Sequence, residues 1–220
     1  MKFGNYDIKP IMLYLPDTKE WINRWMSGRF HFFESGVEDI YEVAGVHAVK
    51  WGITGRHIYL RDGRPKEQFY GGDGKVGGYI SHYILYNVMK ALPYKHYMVL
   101  EDDCNFLPHW REEVESAMLL IPPDFDFLFV GSACAEDKEP VHVGGNLYHF
   151  PYRSDKPDWY PQTGFCYIVA QKCMNHLINT QRDTADPVDI ALIYEAFPQL
   201  NVYAILPRVA NQGEKTQLPK

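Results

Sequence analysis

Tyr97-Met98-Val99-Leu100-Glu101-Asp102-Asp103 decides the fold. Four apolar residues read as a buried strand and run directly into three carboxylates, and in an open α/β sheet ligands bind outside the carboxyl ends of the strands. On the N-terminal side, Val76, Tyr79, Ile80, Tyr83, Ile84 and Val88 fall on one helical face before Pro93 forces an end. On the C-terminal side, Trp110 to Leu120 is an amphipathic helix closed by Pro122-Pro123, and Phe125 to Val130 is a strand ending at Gly131.

The same alternation extends outward. Ile11-Met12-Leu13-Tyr14-Leu15 is a strand, and Asp17 with Glu20 three residues on has the capping-box spacing of a helix start. Trp21, Ile22, Trp25 and Met26 recur at helical spacing, with Gly28 as the expected stop. Further strands are expected over Ile40 to Val46, Phe165 to Ala170 and Val202 to Leu206, and helices over Lys172 to Asn179 and Val188 to Phe197. Trp51 to Gly74 has weak periodicity and the length of a functional loop, and Ala135 to Gln162 reads as irregular. Strands alternating with helices predict an α/β sheet with helices on both faces. No internal repeat or linker divides the chain, so residues 1–220 are expected to form one domain.

With 220 residues, 46% of them hydrophobic and 23% charged, the composition is that of a globular protein with a substantial core and excludes a disordered or fibrous chain. A net charge of -6 argues against a protein that wraps nucleic acid. Between Lys50 and Lys75 the balance reverses, with Lys50, Arg56, Arg61, Arg64, Lys66 and Lys75 against Asp62, Glu67 and Asp73. That stretch suits a phosphate-bearing ligand or a solvated loop face. Cys104, Cys134, Cys166 and Cys173 show no C-x-x-C spacing and the N-terminus opens no apolar signal, so reduced thiols and a cytoplasmic location are expected. No apolar run approaches the roughly 18 to 20 residues of a transmembrane segment.

Three adjacent carboxylates repel, so either a pKa rises or a cation neutralises them. A hard divalent ion, Mn²⁺ or Mg²⁺, prefers such oxygen ligands. In an extended segment alternate residues face the same side, so Glu101 and Asp103 are candidate metal ligands and Asp102 points elsewhere. A solvated acidic turn is the alternative. Gly72-Asp73-Gly74-Lys75-Val76-Gly77 satisfies G-x-G-x-x-G, but the preceding Arg64-Pro65-Lys66-Glu67-Gln68 is polar and holds a proline, not the buried strand a dinucleotide site requires. It is no P-loop either, with Phe69 and Val76 where Gly and Ser or Thr belong. No G-x-S-x-G elbow supports a serine hydrolase and no H-E-x-x-H supports a zinc site.

Three blocks together resemble glycosyltransferase family 25, the lipooligosaccharide and collagen glycosyltransferases. These are Gly77-Gly78-Tyr79-Ile80-Ser81-His82, the strand ending in Glu101-Asp102-Asp103, and Gly164-Phe165-Cys166-Tyr167-Ile168-Val169 followed by a helix and Pro187-Val188-Asp189. Order and spacing are similar over roughly residues 10–212, most firmly between 76 and 105. The resemblance implies a GT-A-like, Rossmann-like mixed sheet and transfer of a sugar from a nucleotide sugar, a UDP-sugar first, to a hydroxyl on a glycan, with inversion. It implies that the first strand, ending at Leu15, and the turn at Ala44, Gly45 and Val46 line the nucleotide. Asp102 would hold ribose or sugar hydroxyls, with His82 in the donor-binding set or packing beside it. Asp189, in the first turn of a predicted helix, is the candidate base, with helix capping as its alternative.

Two departures stand out. Pro16-Asp17-Thr18-Lys19 replaces the family's basic residues after the first strand, and no histidine follows His176, so Asn211, Gln212 or water would complete a metal shell. Two further readings follow from the sequence. One is a phage-type enzyme that glycosylates hydroxymethylated pyrimidines in DNA within the host cytoplasm, for which the basic stretch and the many tyrosines speak. The other is a nucleotide-sugar-binding module without transfer activity.

Overall fold

The computed structural model describes residues 1–16, 19–54, 73–133, 140–153, 160–183 and 186–213. Apolar runs become sheet: β1 (Lys2–Phe3), β2 (Tyr6–Tyr14), β3 (Tyr41–Ala44), β4 (His96–Glu101), β5 (Cys104–Phe106), β6 (Phe127–Ala133), β7 (Val141–Gly144), β8 (Leu147–Phe150), β9 (Gln162–Ala170), β10 (Val202–Ile205) and β11 (Ala210–Gln212). The helices are α1 (Lys19–Glu34), α2 (Asp73–Ala91), α3 (Trp110–Leu120), α4 (Met174–Asp183) and the short α5 (Val188–Ala191).

The main sheet has the order β1-β2-β4-β9-β6-β10-β8-β7, with β3 also paired to β2. β2 runs parallel to β3 and β4, and β6 parallel to β10, whereas β9 lies antiparallel between β4 and β6. The sheet is therefore mixed. β4 sits near its middle and reads as a continuous apolar run because both of its faces are buried. Tyr97 and Val99 join Tyr86 and Met89 of α2 and Leu177 of α4 in one core. Met98 and Leu100 join Phe32 of α1 and Trp110, Val114 and Met118 of α3 in the other. Alternation along one strand thus feeds two hydrophobic layers, and helices cover both faces as the sequence predicts.

Three expectations need correcting. Gly28 does not stop α1; the helix continues to Glu34 and ends in a Schellman arrangement at Gly36, whose φ is 76°. Val37 N–H donates to the Phe32 carbonyl at 2.8 Å and Gly36 N–H to that of Phe33 at 2.9 Å. Gly28 instead serves close packing, since a Cβ there would lie 2.4 Å from the Asp102 carbonyl oxygen. The stretch read as irregular contains the β7–β8 hairpin, whose Val141 and Val143 are exposed at the sheet edge and so give no alternating pattern. The helix expected over Val188 to Phe197 is α-helical only to Ala191 and continues as a π turn over Leu192–Ala196 and a 3-10 turn over Phe197–Gln199.

Gly28→Ala tests the packing of α1. Alanine gains about 1 kcal/mol of intrinsic helix propensity over glycine, but the obstructing atom is backbone and cannot turn aside. Overpacking of this kind costs about 1–3 kcal/mol, so a net loss of stability is expected in urea unfolding. An unchanged or raised midpoint would mean that α1 does not rest on Asp102.

Cys104, Cys166 and Cys173 are buried free thiols, and Cys134 lies outside the described residues. Among the described residues no helix is long and apolar enough to cross a membrane.

Candidate active site

The site forms where β2, β3 and β4 end on the same side of the sheet. β4 closes at Glu101 and the chain turns through Asp102 and Asp103 into β5. The start of α2 is fastened to the segment after β3 by small residues. A Cβ on Gly77 would lie 2.6 Å from the Val46 carbonyl oxygen, and one on Gly45 would lie 2.8 Å from Ser81 Oγ. Ser81 Oγ accepts the Val46 N–H at 2.8 Å and donates to the Gly77 carbonyl at 2.7 Å, while Gly45 N–H donates to the Tyr14 carbonyl at 2.6 Å. The Gly-Gly-x-x-Ser-His block is thus a clamp that sets the wall of a cleft.

That cleft has a volume of about 510 Å³, within the roughly 300–1,000 Å³ typical of ligand sites. Leu15, Val46, His82, Glu101 and Asp102 line it, as does Arg24 from α1. Ala44 and Gly45 do not: Ala44 is exposed at the end of β3, and Gly45 is buried behind the wall it supports. A second cavity of about 230 Å³ is lined by Lys75, Tyr167, Asp189 and Gln212, and shares Gly78, His82 and Glu101 with the first. The two spaces therefore meet at the end of β4.

The acidic triplet is arranged differently from the expected alternation, because β4 ends at Glu101 and a turn follows. Asp102 and Asp103, not Glu101 and Asp103, share a cation, and that cation is Arg24. Its Nη2 lies 2.6 Å from Asp102 Oδ1 and 2.7 Å from Asp103 Oδ2. Glu101 faces His82, with Oε1 3.9 Å from Nε2. His82 is buried, its Nδ1 donates to the Gly78 carbonyl at 3.0 Å, and burial holds its pKa below the ordinary value.

Burial, then the charges of Asp103 and Asp102, push Glu101 up to about 8. Burial also pushes Asp102 up to about 6, against the lowering effect of Arg24. In the cation-free protein Glu101 keeps its proton between about pH 4.5 and 8, where the unfolded chain has lost it, so stability falls as pH rises through that window. Glu101→Gln, which cannot ionise, is expected to flatten that slope and be roughly 1–3 kcal/mol more stable than wild type at pH 8 with EDTA present. Equal pH profiles in urea unfolding would place the Glu101 carboxyl in water.

Metal-site chemistry can be judged from the oxygens. Asp102 Oδ2 and Asp103 Oδ1 are buried with no hydrogen-bond partner, and a carboxyl held protonated beside them gains by meeting positive charge. The donor set suits a hard divalent cation. Among the described residues no group of three or more His, Cys, Asp or Glu could hold a metal, so further ligands would have to be of another kind. β11 pairs antiparallel with β5 and brings Gln212, whose Nε2 donates to Asp103 Oδ2 at 3.1 Å, to the place where the sequence left a ligand open.

Asp189 lies at the smaller cavity, 4.0 Å through Oδ2 from Lys75 Nζ. The cap of α5 is Pro187, without a side-chain capping bond, so Asp189 is not the capping residue. Arg56, Arg61, Arg64 and Lys66, on which the DNA reading leaned, lie outside the described residues. Arg24 was missed by sequence reasoning. The signal that points to it is the unmet charge of the triplet, which a basic residue on a neighbouring helix had to answer.

No protein-family profile matches the chain, and no curated protein matches it. Among solved structures it is similar to a glycosyltransferase involved in the glycosylation of the major capsid of PBCV-1, with a TM-score of 0.50 at 11% identity over 93% of this chain and 91% of that one. The chain has a GT-A-like fold. The inositol-1-phosphate CTP transferase from T. maritima is also similar, with a TM-score of 0.48 at 11% identity over 97% of this chain and 88% of that one. At 11% identity the likeness to the capsid glycosyltransferase is one of fold.

Proposed function

We propose that the protein is a metal-dependent glycosyltransferase of the family 25 type, moving a sugar from a nucleotide sugar, a UDP-sugar first, to a hydroxyl on a glycan. The observation that carries this reading is the meeting of two cavities at the end of the acidic strand. The larger has room for a nucleotide sugar, and the smaller presents Asp189 to the same point. Leu15 and Val46 would contact the nucleoside, and Asp102 the ribose or sugar hydroxyls. Buried His82 would orient the wall through its bond to Gly78 and not react. Gly45 would act only by supporting the wall behind Val46, and exposed Ala44 would lie outside the nucleotide contacts.

The acceptor oxygen attacks the anomeric carbon as the bond from that carbon to the diphosphate oxygen breaks. The electron pair leaves with the diphosphate, and the hydroxyl proton passes to Asp189. A single displacement of this kind inverts the anomeric centre. A Mn²⁺ or Mg²⁺ ion held by Glu101 and Asp103 would supply Lewis-acid stabilisation of the charge that develops on the leaving group. His82, which lines both cavities, and Tyr167, which lines the smaller, would exclude water that competes with the acceptor.

Thermal stabilisation by a panel of nucleotide sugars and NAD(H), each with and without Mn²⁺, tests the reading, since a ligand of the folded state raises apparent stability. A metal-dependent shift with one nucleotide sugar is expected, followed by transfer when glycans, and then hydroxymethylated DNA, are supplied as acceptors. No shift with any nucleotide sugar would reduce the acidic triplet to a structural turn. A shift without turnover would leave a binding module.

A further inference from the structure

We propose that Arg24 is the diphosphate-binding residue of the site and that, with no donor bound, its guanidinium holds Asp103, one of the two proposed ligands of the divalent cation, together with the neighbouring Asp102. This rests on the nucleotide-sugar reading above. Three observations combine. The guanidinium bridges one oxygen of each aspartate at 2.6 and 2.7 Å, the pattern a bound cation would impose. Its side chain is 23% exposed and lines the larger cavity, so it faces the ligand space and is not sealed in the core. The other oxygen of each aspartate is buried without a hydrogen-bond partner, so the carboxylates retain capacity for a second positive group.

A divalent ion on Glu101 and Asp103 and a guanidinium on the same Asp103 carboxylate repel each other. Metal alone therefore binds weakly. A diphosphate supplies the negative charge that relieves the conflict: Arg24 swings from the aspartates to the phosphate oxygens, for which its planar fork is suited. The two ligands thereby favour each other's binding through one side chain. Gly28, one turn further along α1, keeps the helix close enough to Asp102 for Arg24 to reach.

The test is the affinity of purified full chain for Mn²⁺ alone, read from the free-ion electron paramagnetic resonance signal, and for UDP, GDP, CDP and ADP without metal, read by calorimetry. Arg24→Gln removes the competing charge and keeps polarity; Arg24→Lys keeps the charge and loses the fork, and serves if the Gln variant does not fold. Arg24→Gln is expected to bind Mn²⁺ at least about tenfold more tightly than wild type, and the tightest nucleoside diphosphate at least about tenfold more weakly. Arg24→Lys is expected to leave Mn²⁺ binding within about threefold and still weaken the diphosphate. Mn²⁺ affinity unchanged or lowered in Arg24→Gln overturns the proposal, as does diphosphate binding unchanged in either variant. If wild type binds no nucleoside diphosphate even with Mn²⁺, the nucleotide-sugar reading itself fails and the diphosphate role with it. If wild type binds one and the variants match it, only the role of Arg24 fails.

Discussion

Asp103→Asn is expected to lower sugar transfer by about 10³-fold while the protein stays folded, because the leaving diphosphate loses the charge stabilisation this carboxylate anchors. The substitution preserves shape, and an amide oxygen can still accept from Arg24, which contacts Asp103 Oδ2 at 2.7 Å. What disappears is the negative charge at Oδ1, buried and without a hydrogen-bond partner at the turn after β4. The measurement is turnover with the nucleotide sugar that most stabilises wild type, at saturating Mn²⁺, with circular dichroism and unfolding midpoint as controls for the fold. Retention of more than a tenth of wild-type turnover would remove Asp103 from the chemistry. A loss of turnover matched by loss of the folded signal would make it a structural residue.

β4 and its acidic end were legible because they are local: an apolar run followed by three carboxylates needs no partner to be recognised. Helices on both faces were legible for the same reason, since alternation along each element fixes what it buries. The failures are non-local. A glycine that stops a helix and a glycine that lets a helix touch another backbone look alike in sequence, so Gly28 was misread until Asp102 could be seen against it. Arg24 on α1 and Gln212 on β11 reach the triplet only through tertiary packing and a strand pairing with β5. The clamp built from Gly77, Ser81 and Gly45 is likewise non-local, since it joins the start of α2 to the segment after β3. Gly45 supports the wall from behind and Ala44 is exposed at the end of β3, whereas Val46 and Leu15 line the cleft.

Asp189→Asn is expected to lower turnover by about 10²–10⁴-fold, the usual contribution of a positioned general base, and to leave nucleotide-sugar binding unchanged. The two effects separate because Asp189 lies in the smaller cavity and not among the residues lining the larger one. Pro187 caps the short helix α5, so the aspartate side chain is not committed to the backbone there. Lys75, 4.0 Å from Oδ2, is too distant for a hydrogen bond yet close enough to balance the charge. The carboxylate thus lines the smaller cavity together with Glu101 and Tyr167. Turnover and thermal stabilisation by donor, measured on the same preparation, give the answer. Turnover within tenfold of wild type would assign proton removal to another group. A parallel loss of donor stabilisation would mean that Asp189 shapes the donor site, and the two-cavity division of labour would then give way to a single continuous pocket.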